Sequence, residues 1–271
     1  MTSRGRLVTV LAIIAVVAGV LAASAFFVGR LTATESIPEP EVSDQAAVSD
    51  ETAAESPQQS QDDREALFDP PERLGVMIAS TISKSVQIEC QDGYGTGWIY
   101  DTPYAPTYRN EELELAAQGK DLLVVTAKHV IDDCKQDPSS IKVMIDFEEV
   151  PSQLLNWHNK TDLATIAVSA NNPGLQGSDE VKQGMWAMAV GWPFNYNLSP
   201  TIGRVIEIED TELYIDVLIE PGNSGGPLVD STGAVIGTVT AGFLDDNDVS
   251  TGFNIATKTR ALCAKLLTCR E

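Results

Sequence analysis

Apolar residues are distributed along this chain in three textures. Leu7 to Gly29 is an almost unbroken apolar run of 23 residues, flanked by Arg4 and Arg6 before it and Arg30 after it. At about 1.5 Å per residue such a helix spans a ~30 Å hydrocarbon core. It reads as a transmembrane anchor whose N-terminus stays cytoplasmic under the positive-inside rule. A cleaved signal peptide is the alternative, with Ala22, Ala23, Ser24 and Ala25 near the cut. Either way the remainder is exported. Residues 31–72 have no sustained period, many Ser, Pro, Glu and Asp, and few aromatics. They bury too little apolar surface to offset ordering entropy, which predicts a disordered, self-repelling linker.

From Val76 onward short β-branched runs recur, among them VMIAST, SVQIEC, GTGWIY, DLLVVTA, IKVMIDF, DLATIAV, MWAMAVGW, GRVIEIE, ELYIDVLI, GGPLV and AVIGTVTA. Gly, Pro, Asn and Asp punctuate them. About ten short strands in this pattern predict an all-β barrel or sandwich over residues 73–271. Two segments break the pattern. Glu111–Gln118 is expected to form a short helix inside a long loop, and Thr257–Thr268, with i, i+3, i+4 apolar spacing, a C-terminal helix.

Charge sharpens this division. The chain carries 18 Lys+Arg against 39 Asp+Glu, a formal net charge of −21. Residues 1–30 have three Arg and no acid, residues 31–72 twelve acids and one Arg, and the rest 27 acids and 14 bases. About half of the net acidity therefore lies in the linker. So acidic a chain is unsuited to nucleic acid, because duplex binding rests on Lys and Arg neutralising phosphates. Two His and four Cys with no C-x-x-C or H-x-x-x-H pair exclude an obvious metal site, and no cofactor motif is present.

Three strand edges carry candidate chemistry. LLVVTAKHV ends in His129, NKTDLATIAV opens on Asp162, and PGNSGGPLV holds Ser224 between glycines. Each is unremarkable by itself: a His after a strand is ordinarily structural, and an Asp before one ordinarily caps a turn. Together they are the three groups that nucleophilic catalysis at a serine needs. A hydroxyl attacks only when a neighbouring imidazole takes its proton, and a carboxylate holds the imidazole in its tautomer. The flanking glycines let the Gly222 and Ser224 N–H groups converge on an oxyanion, each such donor being worth about 2.7–4 kcal/mol.

In order and content, TAKHV, TDLA and PGNSGGPL resemble the trypsin-like (chymotrypsin-fold) serine peptidases. They are most similar to the bacterial DegP/HtrA-like branch, whose serine motif reads DxxIxPGNSGGPL. GTGWIY resembles that family's GSGxII strand, and AVIGTVTAGF and TGFNIA its closing strands. The resemblance covers roughly residues 76–262 and implies two six-stranded antiparallel β-barrels with the site between them. It implies His129 as base, Asp162 as its orienting partner, Ser224 as nucleophile, and polypeptide substrates. The residue six before the nucleophile is expected at the base of the specificity pocket. Here that residue is Leu218, with Thr240, Ala241 and Gly242 as a further wall, so a small or medium apolar side chain is expected there. No PDZ domain is expected after the peptidase, and no oligomeric state follows from the sequence.

By the same resemblance Cys90 and Cys134 form a bridge stapling the His loop, worth about 3–4 kcal/mol. Cys263 and Cys269 would sit about 9 Å apart along a continuous helix, so they pair only if that helix ends first, and otherwise remain free thiols. Some residues depart from the family pattern. Asn223 stands where zymogen-forming relatives have Asp, which argues against activation by N-terminal clipping. Lys128 and Glu220 replace a common small residue and a common Asn. The loop Asp101–Lys120 is long enough to shade the cleft or meet a partner, though surface decoration is the simpler reading. His158 matches no motif. A catalytically weak, peptidase-like binding module at the cell surface is the competing functional reading.

Overall fold

The computed structural model describes residues 66–268 apart from residue 103 and residues 245–249. The expected anchor at 1–30 and most of the linker at 31–72 lie outside the described residues. Among the described residues no helix is long and apolar enough to cross a membrane. Packing begins earlier than the boundary at residue 73: Leu67 is buried and Phe68 packs beside it. Arg204 and Ser231 fix this entry by donating to the Phe68 and Ala66 carbonyls at 2.9 and 3.0 Å.

Two antiparallel sheets form the folded part. The first uses β1 (Ser85–Cys90), β2 (Gly93–Tyr100), β4 (Leu122–Ala127), β5 (Ile141–Ile145), β6 (Glu148–Val150), β7 (Ser152–His158) and β8 (Leu163–Val168), while β3 (Ala105–Pro106) lies outside it. Its order is β6-β5-β1-β2-β4-β8-β7. The second uses β9 (Trp186–Gly191), β10 (Ser199–Ile208), β11 (Glu212–Ile215), β12 (Pro227–Val229), β13 (Val235–Leu244) and β14 (Ser250–Lys258), closed into a barrel. A final short strand, β15 (Leu267–Thr268), pairs with β3.

The expectation of two six-stranded barrels holds for the second sheet only. The first has seven strands and stays open, a half-barrel. Its edge strands β6 and β7 are consecutive in the chain and separated only by Pro151. Proline has no N–H to offer a ladder. The Ser152 hydroxyl bridges the opening instead, donating to the Ile141 carbonyl at 3.2 Å.

One strand expectation and one helical expectation also change. Val76–Thr81, which reads as a strand by its β-branched content, lies inside helix α1 (Leu74–Ser83). Leu74, Ile78 and Ile82 recur every four residues and pack with Met77 on the core between the sheets, while Val76 faces solvent. Helix α2 (Glu111–Ala116) forms as expected, its first turn capped by the Asn110 side chain accepting from Leu113 N–H. The C-terminal helix shrinks to α3 (Arg260–Lys265). Thr257 and Lys258 are claimed by β14, which pairs with both β11 and β13. Beyond the helix, Thr107 donates its N–H and hydroxyl to the Leu266 carbonyl, so the chain leaves as a strand.

Strands β8 and β9 are buried along their whole length. They lie where the two sheets face each other, over a shared core that includes Trp98, Val125, Leu155, Met188, Val190 and Val229. A buried bond from Trp98 Nε1 to Thr238 Oγ1, 3.1 Å, crosses this interface. A disulfide joins Cys90 to Cys134, their Cα atoms 5.7 Å apart. Cys263 is also disulfide-bonded, in a helix that ends two residues later; Cys269 lies outside the described residues.

Candidate active site

His129 follows β4 directly, in the 3₁₀ segment Lys128–Cys134, so the strand delivers it to the edge of the first sheet. Asp162 ends the turn joining β7 to β8 and holds a left-handed backbone, φ 48°. Asp tolerates that conformation better than most residues. The turn faces one carboxylate oxygen to the His129 backbone N–H at 2.9 Å and the other to the ring Nδ1 at 2.7 Å. Lys128 N–H donates to the Asp162 carbonyl at 2.9 Å. The imidazole is thus gripped on one nitrogen and exposed on the other side, its side chain 42% accessible.

The 3₁₀ segment is held from two ends. Cys134 ties it to β1, and Lys128 and Lys135 both reach Asp132, at 2.8 and 2.6 Å. The hydrogen bond to Asp132 lifts the Lys128 ammonium above its ordinary value, against the desolvation that lowers it. Desolvation pushes the Asp132 carboxyl up, yet the two lysines outweigh it and leave it below its usual range.

Ser224 sits in the loop between β11 and β12, and here the backbone does the organising. Every carbonyl from Pro221 to Ser224 has a donor. Pro221 accepts from Phe194 N–H at 2.7 Å, Gly222 from the Thr96 hydroxyl at 2.7 Å, Asn223 from Gly226 N–H at 3.0 Å, and Ser224 from Thr96 N–H at 2.8 Å. In a trans peptide the N–H points opposite to the C=O. The Gly222 and Ser224 N–H groups therefore face away from these partners, and neither has an acceptor among the described residues. Gly222 needs φ 102°, and a Cβ there would lie 2.0 Å from the Trp192 carbonyl oxygen. Asn223 is 2% exposed and its Oδ1 has no partner among the described residues. A charged Asp in that place would be buried unpaired.

His129 and Ser224 line one cleft of about 600 Å³, together with Asp216, Leu218, Thr240 and Asn254. The Ser224 hydroxyl and the imidazole are not hydrogen-bonded to each other here; in catalytic sites that contact often closes only with substrate. Leu218 lines the cleft but is 59% exposed, a rim rather than a floor. Thr240 and Asn254 are the buried lining, and the Asn254 amide donates to the Val217 carbonyl at 2.7 Å. Gly242 lies against Asn254, while Ala241 is placed only by its backbone pairing with Ile255 in β14. The loop Asp101–Lys120 contributes nothing to this lining. It docks on β7 instead, where Arg109 stacks 3.6 Å over the Trp157 ring and donates to the Trp157 carbonyl.

Among known proteins, the trypsin-like peptidase domain family matches residues 110–237. Residues 110–237 of this chain are thus similar to a trypsin-like peptidase domain. Its curated relatives include the probable periplasmic serine endoprotease DegP-like of Chlamydia pneumoniae, 38% identical over 131 residues, which are 44% of this chain and 26% of that protein. The protein of the same description from Chlamydia trachomatis is 37% identical over 136 residues, 45% of this chain and 27% of the relative. The chain thus spans about a quarter of the length of these relatives. Among solved structures, the serine endoprotease of Yersinia pestis aligns with TM-score 0.57 at 22% identity, covering 72% of this chain and 66% of that one. The active form of the Rv3671c protease from M. tuberculosis aligns with TM-score 0.54 at 21% identity, covering 73% and 86%. At such identities the likeness is one of fold.

Within the cleft, several lining residues were not assigned a role by motif. Asp216 and Asn254 lie inside recognised stretches, and only the folded cleft brings them together. Thr96 is the middle residue of GTG, where the serine of GSGxII was the available signal.

Proposed function

We propose that this protein is a serine endopeptidase acting outside the cytoplasm from a membrane anchor. The reading is carried by one observation: a hydrogen-bonded His129–Asp162 pair shares a cleft with Ser224, whose flanking N–H groups have no acceptor of their own. In the reaction the Ser224 hydroxyl oxygen attacks the peptide carbonyl while His129 takes its proton. The Asp162 carboxylate keeps Nδ1 protonated and stabilises the imidazolium. The carbonyl oxygen gains negative charge against the Gly222 and Ser224 N–H groups, which are already oriented and so need no reorganisation. His129 then protonates the leaving amine, and water hydrolyses the acyl-enzyme by the same exchange.

The cleft supports a small or medium apolar residue before the scissile bond, received against Leu218, Ile219 and Pro221. Asp216 and Glu220 also line it, but Asp216 already accepts the Arg204 N–H at 2.5 Å through one oxygen. Profiling with a peptide library tests this, and a preference for Lys or Arg rejects it. The anchor is supported by the arginine-flanked run Leu7–Gly29, and placement outside the cytoplasm by the periplasmic designation of the relatives.

A fluorophosphonate probe tests the peptidase reading. The wild-type chain is expected to label and Ser224→Ala not to. A folded wild type that stays unlabelled gives way to the reading as a binding module.

A further inference from the structure

We propose that Thr96 is a positioning residue for the oxyanion site, its hydroxyl latching the Gly222 carbonyl so that the N–H groups beside Ser224 stay turned toward the cleft. The proposal rests on the peptidase reading above.

Thr96 belongs to the first sheet and is fully buried, yet its bonds reach the serine loop of the second. Its N–H donates to the Ser224 carbonyl at 2.8 Å and its hydroxyl to the Gly222 carbonyl at 2.7 Å. The same hydroxyl oxygen accepts from Trp192 N–H at 3.2 Å. Its own carbonyl accepts from the hydroxyl of Thr126, three residues before His129, at 2.7 Å. One residue therefore meets the strand that leads to His129, the turn after β9, and both sides of Ser224.

The chemistry of the side chain matters as much as its place. A hydroxyl has one proton to donate and lone pairs to accept with. Because Trp192 N–H is a donor, it takes a lone pair of Oγ1 and leaves the hydroxyl proton for Gly222. An apolar isostere can do neither. Branching at Cβ restricts χ1 and so holds the hydroxyl in one direction.

Without the latch, the Gly222 carbonyl becomes a buried acceptor with no partner, in a peptide flanked by a glycine that readily changes its dihedrals. That peptide carries the Asn223 N–H, which donates to the Glu220 carbonyl at 3.0 Å, and it lies between the peptide bearing the Gly222 N–H and the one bearing the Ser224 N–H, so its rotation displaces both donors. Substrate binding along the rest of the cleft is untouched, so the loss falls on the transition state and is read in kcat rather than KM.

The test compares Thr96→Val with Thr96→Ser in the full chain. Thr96→Val is expected to lower kcat about 30-fold with KM within about threefold, somewhat less than outright removal of one oxyanion donor. Thr96→Ser, which restores the hydroxyl, is expected to stay within about threefold of wild type. Inhibition by a peptide aldehyde, whose adduct carries an oxyanion, should weaken in Thr96→Val in parallel with kcat. Binding of the uncleaved peptide in a Ser224→Ala background should not change. Should Thr96→Val fail to fold, Thr96→Ala removes the same hydroxyl and is judged by the same criteria. A folded Thr96→Val with wild-type kcat overturns the latch, as does an equal loss in Thr96→Ser. Wild type that fails to label with fluorophosphonate overturns the peptidase reading and the latch with it, whereas labelled wild type and an unaffected Thr96→Val remove the latch alone.

Discussion

The two sheets bring their contributions to the cleft by different means. The half-barrel holds His129 through a side chain: an exposed imidazole is gripped by one carboxylate on the turn before β8. The closed barrel presents Ser224 through backbone, with each carbonyl from Pro221 to Ser224 already bonded and Gly222 buried. The difference suits the roles proposed for the two parts. A group that exchanges a proton with substrate is best placed at an accessible edge. Donors that meet developing charge are most useful when fixed beforehand, away from competing water.

Changing the carboxylate is the most direct way to break the half-barrel side. Asp162→Asn suits the left-handed turn at φ 48°, so the backbone should persist while the tautomer control is lost. Steady-state kinetics should record a fall in kcat of about 10⁴-fold, with an unchanged melting temperature. A smaller loss would mean that the imidazole is oriented chiefly by something other than this pair.

On the barrel side, Gly222→Ala forces φ 102° on a residue with a Cβ and drives that atom against the Trp192 carbonyl. A drop in kcat of about 10²–10³-fold is expected, accompanied by a stability loss of about 1–3 kcal/mol. If stability falls without kcat, the preformed donors matter less than their geometry suggests.

Cutting the staple affects the half-barrel alone. Replacing Cys90 and Cys134 together by Ala reopens a 44-residue separation and should cost about 4 kcal/mol in denaturant unfolding. The Ser224 loop, which shares no covalent link with that bridge, should retain its hydrogen-exchange protection at temperatures where the protein remains folded.

The smallest effect concerns His158. Its Nδ1 accepts from the Thr161 hydroxyl at 3.0 Å and from Thr161 N–H at 3.3 Å, one residue before Asp162. Burial, with Lys265, Lys160 and Arg109 nearby, lowers its pKa below the ordinary histidine value. The unfolded chain therefore takes up the proton first, so this contribution is complete above about pH 6.5 and is lost as pH falls through the lower folded value. His158→Asn, which keeps an acceptor but cannot titrate, should flatten the pH dependence of the melting temperature in that window. An unaltered slope would remove His158 from the support of the Asp162 turn.

Much of this could be read along the chain because it is local. Period-two and wholly apolar runs mark strands wherever β-branched residues are buried on one or both faces, and β1, β2, β4, β8, β9 and β13 follow them. TAKHV, TDLA and PGNSGGPL name His129, Asp162 and Ser224 by order and residue type. Val76–Thr81 misleads because β-branched content and four-residue spacing compete there, and the core between the sheets selects the helix. Likewise the pattern at Thr257 and Lys258 fits a helix until two neighbouring strands supply backbone partners.

What the sequence determined by itself is the set of reacting groups and the strands that carry them, since both depend on residue type and short spacing. Closure of one sheet and not the other depended on which strands pair across each sheet. The bonding of the serine loop draws on Thr96, 126 residues before the Gly222 carbonyl it holds. Hydrogen bonds across such a separation leave no period in the chain, and only the packing of one sheet on the other decides which of them form.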